Sequence, residues 1–148
     1  MVTMQHIISK LPYTKPFLFV DQLTRIDENG VEGTYTYTAD HDFFKGHFKE
    51  NPIVPGVILT ETMAQIGVVC LGIFLLNDEL NKNLLIALSS THIDFLKPVF
   101  PDESVTVISH KIYFRFGKLK CDVKMLNELG ETICEGTIAG MIVNRTET

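Results

Sequence analysis

A run of about twenty residues that is apolar on almost every side constrains this chain more than any other feature. Pro52 and Pro55 forbid a helix before Gly56, whereas no proline occurs from Val57 to about Leu76. Apolar side chains in this run point in nearly every direction of a helical wheel, so the pattern predicts a helix enclosed by its own domain. Its length would suit a membrane span, but Glu61 and other polar residues interrupt the first half, and we expect none.

The entry into this helix collects three groups suited to acid and base chemistry. Glu61, on a buried helix, would lose hydration and gain a raised pKa, as a general acid requires; a structural carboxylate near the positive helix end is the alternative. His47 is a candidate base, or else a loop histidine bonded to backbone. Gly56 has no side chain, so backbone N–H groups at the helix start would be open to a carbonyl oxygen that gains negative charge.

The segment from Gly46 to Gln65 reads G-H-F-x-x-x-P-x-x-P-G-V-x-L-x-E-x-M-A-Q and resembles the signature of the bacterial hot-dog-fold (3R)-3-hydroxyacyl-acyl-carrier-protein dehydratases. Glu at position 61 is similar to the Z-type enzymes, whereas the A-type carry Asp. Residues 11–21, L-P-Y-T-K-P-F-L-F-V-D, resemble the family's opening, and residues 95–102, F-L-K-P-V-F-P-D, resemble its second proline turn. The chain departs from the family pattern at four positions, which bear on substrate preference: Tyr13, Lys49, Thr91 and Asp102.

The resemblance implies a function and an assembly. It implies dehydration of a 3-hydroxyacyl chain on acyl carrier protein, without a cofactor, with His47 as base, Glu61 as acid and the Gly56 N–H as donor to the thioester carbonyl. It also implies a homodimer in which His47 and Glu61 of one site come from different subunits, and it leaves assembly into hexamers open. An apolar tunnel would take the acyl tail, with Phe48 and Phe95 as the main lining candidates beside Phe43 and Phe44, each of which would otherwise be core.

Composition limits the other classes of function. With 148 residues and 45% hydrophobic content, we expect one domain over residues 1–148. No secretory signal is visible, so we expect a cytoplasmic protein. The net charge of −5 argues against nucleic-acid binding, and the five histidines lack a metal-ligand spacing. Three widely spaced cysteines suggest buried, reduced thiols. A local basic cluster would suit an acidic carrier protein or be ordinary strand surface: Lys111, Arg115, Lys118 and Lys120, with Lys97 nearby.

Read in order, the chain predicts an α+β domain with about six strands, mostly antiparallel, on one long helix. The resemblance sharpens this to a hot-dog fold, a curved sheet wrapped around the central helix. We expect a short helix at 6–11, a strand from 16 toward 26, and a strand at 31–38. A functional loop follows at 39–55, in which His41 is a lesser site candidate. The polar connection is at 77–83, and the remaining strands are expected at 84–95, 104–116, 118–127 and 132–143.

Three other functions remain open from the sequence. Asp42 and His47 have the spacing of the D-x-N-P-x-H motif of R-specific enoyl hydratases, although the intervening Asn-Pro is absent and Glu61 would be unexplained. A thioesterase of the same fold would use the helix carboxylate to activate water and would not require His47. A non-catalytic acyl-binding module would use the same tunnel, and Glu61→Gln would then leave ligand affinity intact.

Overall fold

Six strands and one long helix account for most of the computed structural model, which describes residues 3–77 and 84–144. In chain order the elements are α1 (Met4–Ser9), β1 (Gln22–Asp27), β2 (Gly30–Thr36), a 3-10 turn (Asp42–Lys45), α2 (Gly56–Leu76), β3 (Leu84–Phe95), β4 (Ser104–Arg115), β5 (Lys118–Leu126) and β6 (Thr132–Asn144). The helix and strand positions predicted from residue 26 onward are confirmed to within two residues at nearly every boundary. The predicted connection at 77–83 lies, apart from Asn77, outside the described residues.

The strands form one antiparallel sheet in the order β1-β2-β4-β5-β6-β3. Alternate side chains of β2, β4 and β5 are buried against α2, as in β5, where Leu119, Cys121, Val123 and Met125 are buried. The sheet curves around α2, so the expected α+β hot-dog class is confirmed. Within the described residues α2 is the one helix long and apolar enough to span a membrane, with a mean hydropathy of 1.9, yet 72% of that stretch is buried inside the protein.

The middle of α2 is π-helical, which the hydrophobic pattern does not predict. Residues Gln65–Cys70 form this segment, and all six are buried. The Ser109 hydroxyl of β4 donates a 2.8 Å hydrogen bond to the Gly67 carbonyl. A Cβ at Gly67 would stand 3.1 Å from a Val123 methyl and 3.2 Å from the Ser109 Cβ, so a side chain there would push the helix off the sheet. The π segment therefore lies as close to β4 and β5 as a glycine allows.

The predicted strand from residue 16 to 26 is wrong in its first half. Strand β1 begins only at Gln22, and residues 12–21 run irregularly over the helix. Two backbone groups of this segment bond to a side chain of α2: the Phe19 N–H donates to Gln65 Oε1 and the Phe17 carbonyl accepts from Gln65 Nε2. A buried amide thus supplies the partners that a sheet would have supplied.

Strand β3 lies at the edge of the sheet with one side unpaired among the described residues. Its side chains from Ala87 to His92 are exposed, including 53% of Leu88. A twelve-residue edge strand with an exposed leucine is long for a solvated edge and is typical of a strand that pairs with another chain.

Candidate active site

Glu61 lies one and a half turns into α2, where the wall of the core meets two cavities. Its side chain is only partly exposed. Burial raises the pKa of the Glu61 carboxyl above its ordinary value, and a hydrogen bond from Gln65 partly offsets that rise. A carboxyl with a raised pKa keeps its proton to higher pH, which is the state a general acid needs.

Gln65 holds the Glu61 carboxyl in one orientation. It follows Glu61 by one turn, is fully buried, and donates from Nε2 to Glu61 Oε2 at 2.9 Å. The same Nε2 donates to the Phe17 carbonyl at 2.9 Å, and Oε1 accepts from the Phe19 N–H at 2.8 Å. Both amide hydrogens and the carbonyl are used, so the amide has one possible orientation. Because Oε2 already accepts this hydrogen bond, a proton on neutral Glu61 belongs on Oε1.

The outer cavity opens beside the first turn of α2. It has a volume of about 720 Å³ and is lined by Gly56, Val57, Thr60, Glu61, Leu88, Thr91, His92, Ile93 and Phe95. Pro55 caps the helix without a side-chain hydrogen bond, and no acceptor for the Gly56 N–H is found among the described residues. A Cβ on Gly56 would stand 3.3 Å from the Phe95 ring. An uncapped helix start beside a carboxyl is suited to bind a carbonyl oxygen that gains negative charge.

The inner cavity continues from Glu61 along the next two turns of α2. Its volume is about 210 Å³, and its lining residues are Tyr13, Phe17, Glu61, Ala64, Val68, Val69, Ile86, Ala87, Leu88 and Gly140. Glu61 and Leu88 line both cavities, so the two spaces adjoin each other at these residues.

His47 is positioned by the loop between β2 and α2. Its N–H donates to the Phe43 carbonyl at 3.1 Å, its own carbonyl accepts from the Ile53 N–H at 2.9 Å, and its ring stacks on that of Phe48 with centroids 4.1 Å apart. The ring Nδ1 is 3.2 Å from the Ile53 carbonyl oxygen. A carbonyl only accepts, so Nδ1 carries the proton and Nε2 keeps a free lone pair, as a base requires.

The structure brings Glu61, Gly56 and Phe95 together but not His47 with them. His47 lines neither cavity at Glu61. Phe48 is 54% exposed and also lies outside both cavities, whereas Phe95 forms the wall opposite Gly56. Within one subunit the predicted base thus does not line the cavities that contain the predicted acid.

The remaining candidate residues, His41 and the three cysteines, contribute to packing. His41 accepts or donates a 2.6 Å hydrogen bond with the Tyr35 hydroxyl, and its ring packs among Phe43 and Phe44. This aromatic cluster supports the start of the His47 loop. The cysteines are free and buried, as predicted.

The predicted basic cluster is only partly assembled. Arg115 and Lys118 face each other across the β4–β5 hairpin. Lys97, however, pairs with Glu131 at 3.3 Å and bonds through its backbone to Ile133, at the opposite end of β6 from the hairpin. At about 3.3 Å per residue this separates Lys97 from the hairpin by roughly 26 Å, so the expectation that it lies nearby is wrong.

Sequence reasoning missed two residues of the site. Gln65 was visible as an amide one turn after a carboxylate in an otherwise apolar helix, a spacing that places both on one face. Tyr13 was visible only as a departure from a family pattern, and nothing in its local sequence places it against the helix at Glu61.

Comparison with known proteins identifies the family of this chain. The family model described as "FabA-like domain" matches residues 11–137. The chain belongs to the FabA-like family. It is 35% identical to the 3-hydroxyacyl-[acyl-carrier-protein] dehydratase FabZ of Sinorhizobium fredii, over 97% of this chain and 92% of that protein. It is 32% identical to the enzyme of the same name from Caldicellulosiruptor bescii, over 93% of this chain and 96% of that protein.

Solved structures share the fold of this FabA-like chain at low sequence identity. The dehydratase heterocomplex ApeI:P from Xenorhabdus doucetiae is similar with a TM-score of 0.79 at 15% identity, covering 95% of this chain and 93% of that one. A hypothetical thioesterase from Streptococcus pneumoniae, solved with coenzyme A, has a TM-score of 0.62 at 15% identity and covers 83% of this chain and 85% of that one. At these identities the likeness describes the fold alone.

Proposed function

We propose that this chain, as a single domain over residues 1–148, removes water from (3R)-3-hydroxyacyl-acyl-carrier-protein thioesters to give trans-2-enoyl thioesters. It is a hydro-lyase of fatty-acid or related acyl-chain biosynthesis. The observation that carries the proposal is the Glu61 carboxyl, whose pKa is raised by burial, in a cavity that begins at the uncapped start of α2. FabZ relatives over nearly the whole chain support the reaction class.

The reaction needs one base, one acid and one site for negative charge. In our proposal Nε2 of His47 takes the proton from C2, and the electron pair of that C–H bond forms the C2–C3 double bond. The C3–O bond breaks, and the hydroxyl leaves as water with the proton from Oε1 of Glu61. The Gly56 N–H donates to the thioester oxygen while it carries negative charge, and the Phe95 ring covers this end of the acyl group. No redox change occurs, and these groups need no cofactor.

The proposed active form is a homodimer with two shared sites. His47 and Glu61 lie apart within one subunit, while the unpaired edge of β3 borders the cavity that contains Glu61. Pairing of β3 with β3 of a second copy about a two-fold axis would remove the exposed edge and bring the partner's loop to the cavity. Dimers would then act on acyl carrier protein in the cytoplasm, and a trimer of dimers is compatible with this arrangement.

The deciding experiment is a direct assay of dehydration. Wild type, His47→Ala and Glu61→Gln are incubated with a four-carbon (3R)-3-hydroxyacyl-carrier protein, and loss of water is followed by mass spectrometry. We expect turnover by wild type and a rate lower by about 10²–10⁴-fold in each variant, since each removes one proton-transfer group. Binding should be largely retained, because the carboxyl contributes mainly to the transition state.

Matched controls separate loss of a group from loss of the fold. His110→Ala and Glu28→Gln make the same substitutions at exposed positions outside both cavities and should retain wild-type rates. Release of free acid instead of loss of water would favour the thioesterase reading. Acyl binding without turnover by wild type would favour the non-catalytic module.

A further inference from the structure

The meeting of the two cavities at Glu61 gives the acyl chain a direction, if the proposed function holds. With the thioester oxygen at the Gly56 N–H, the C3 hydroxyl lies at Glu61, five residues and about 7.5 Å further along the helix. Carbons beyond C3 then continue in the same direction, past Ala64 and Val68. These residues line the inner cavity, which begins at the same carboxyl. The inner cavity is therefore the place for the acyl tail.

The inner cavity has a limited volume. Its roughly 210 Å³ can be compared with apolar cavities of about 150 Å³ that take benzene, with six carbons. The same packing gives room for about eight carbons beyond C3. Within one subunit this space fits a tail of medium length.

Tyr13 is the exception in a wall that is otherwise apolar apart from Glu61. Its ring packs near that of Phe17, with centroids 6.1 Å apart. Among the described residues no hydrogen-bond partner is found for its hydroxyl, and no side-chain polar atom of the described residues is both buried and unsatisfied. The hydroxyl is therefore not fully buried, and it belongs to a residue that lines the cavity. Burial is the main cause that raises the pKa of Tyr13 to about 12, with a smaller contribution from the nearby Glu61 carboxylate, so the phenol remains protonated and acts as a donor.

We propose that Tyr13 is a specificity-determining residue that contacts the acyl tail and donates a hydrogen bond to it. The preferred substrate would then be a medium-length 3-hydroxyacyl chain that carries a hydrogen-bond acceptor, such as an oxo group, in its distal part. A saturated chain of equal length would cover the phenol, displace its water and return no hydrogen bond.

The test compares pairs of substrates on the same carrier protein. The 3-hydroxyacyl chains have four to twelve carbons, and the longer ones are made with and without an oxo group near the far end. For wild type we expect kcat/KM to favour the oxo chain over its saturated partner by about fivefold, the value of one neutral hydrogen bond. In Tyr13→Phe this ratio should fall to about one. In Tyr13→Ala the preferred length should also increase, because the cavity gains the volume of the ring.

Tyr113→Phe is the matched control. The guanidinium carbon of Arg115 lies 4.5 Å from the centroid of the Tyr113 ring, and Tyr113 lines neither cavity at Glu61. It should leave both the oxo preference and the length preference as in wild type. A melting temperature for each variant identifies loss of folding. Loss of folding would lower the rate with every substrate by the same factor and leave the ratio between the oxo and saturated chains unchanged.

The outcomes separate this inference from the proposed function. A wild-type ratio near one, or an unchanged ratio in Tyr13→Phe, overturns the role of Tyr13 even when the four-carbon substrate loses water. Failure of wild type to dehydrate any of the chains from four to twelve carbons overturns the proposed function, and this inference with it.

Discussion

At the scale of single residues, the most informative contact is the hydrogen bond from Gln65 to Glu61. Gln65→Met keeps the side-chain size and removes three hydrogen bonds. Because this donor lowers the pKa of Glu61, its loss should raise that pKa further. An acid works while protonated, so the alkaline limb of the kcat/KM profile should move to higher pH. The measurement is a pH–rate profile of wild type and variant.

The same substitution should also lower stability. The Phe17 carbonyl and the Phe19 N–H would lose their partner, and a buried unsatisfied group costs about 1–3 kcal/mol. Gln22→Met, on an exposed position of β1, is the control and should change neither property. An alkaline limb that stays in place or moves to lower pH would contradict the assigned role of Glu61.

The raised pKa of Glu61 has a consequence for folding with a definite sign. A carboxyl whose pKa is higher in the folded state than in the unfolded state favours folding while it is protonated in both. This contribution is fully present below the unfolded pKa and is lost as pH rises through the folded pKa. The site thus works against the stability of the ionised protein, as is common where a group is tuned for chemistry.

At the scale of elements, the π segment of α2 depends on one hydroxyl of β4. Ser109→Ala removes the 2.8 Å bond to the Gly67 carbonyl and leaves that carbonyl facing the buried contact. We expect a loss of about 1–3 kcal/mol in the free energy of unfolding, measured by urea denaturation. Ser9→Ala is the control, since the Ser9 hydroxyl makes an equivalent bond to the His6 carbonyl on exposed α1 and should change stability little. Equal effects of the two substitutions would mean that the π segment needs no support from β4.

The elements differ in how far the sequence determines them. The limits of α2 followed from Pro55 and from an unbroken apolar run, and the alternation in β4, β5 and β6 followed from burial of one face. The π segment could not be predicted, because it depends on the close approach of Gly67 to β4. Residues 16–20 have strand composition, yet their partners come from Gln65, a tertiary contact that outweighs local preference.

The site shows the same division. Regular elements hold three residues of the site: Gly56 and Glu61 lie in α2, and Phe95 is the last residue of β3. The sequence predicted all three as site residues. Tyr13 comes from an irregular segment, so its position depends on the path of residues 12–21 across the helix. His47 stays a prediction as the base, because its distance from Glu61 depends on a second copy of the chain.

At the scale of the whole molecule, the shared site makes a prediction about mixed subunits. His47→Ala and Glu61→Gln are each expected to be nearly inactive. In a mixed dimer, one site would combine both lesions and the other would have His47 from one chain and Glu61 from the other, both intact. Equal mixing with free exchange makes half of the dimers mixed, so activity should recover to about a quarter of the wild-type value.

Interpretation of the recovered activity requires a measurement of the oligomeric state. Light scattering should give about twice the chain mass of 16.7 kDa, or a multiple of that value, and activity should fall on dilution below the dissociation constant. A site within one subunit would give no recovery at any mixing ratio. Two separately purified samples of Glu61→Gln, mixed in the same way, should show no recovery and so control for the mixing procedure.

The reactivity of the three buried cysteines can report local unfolding of the protein. Cys70, Cys121 and Cys134 lie on α2, β5 and β6, and burial raises the pKa of each thiol, to about 11 for Cys121 and about 12 for Cys134. A thiol that is enclosed and protonated reacts only when its surroundings separate. A disulfide reagent should therefore find no fast thiol in the native protein and three in urea. Peptide mapping of the first thiol to react would then show whether the helix or the sheet separates first, without any engineered label.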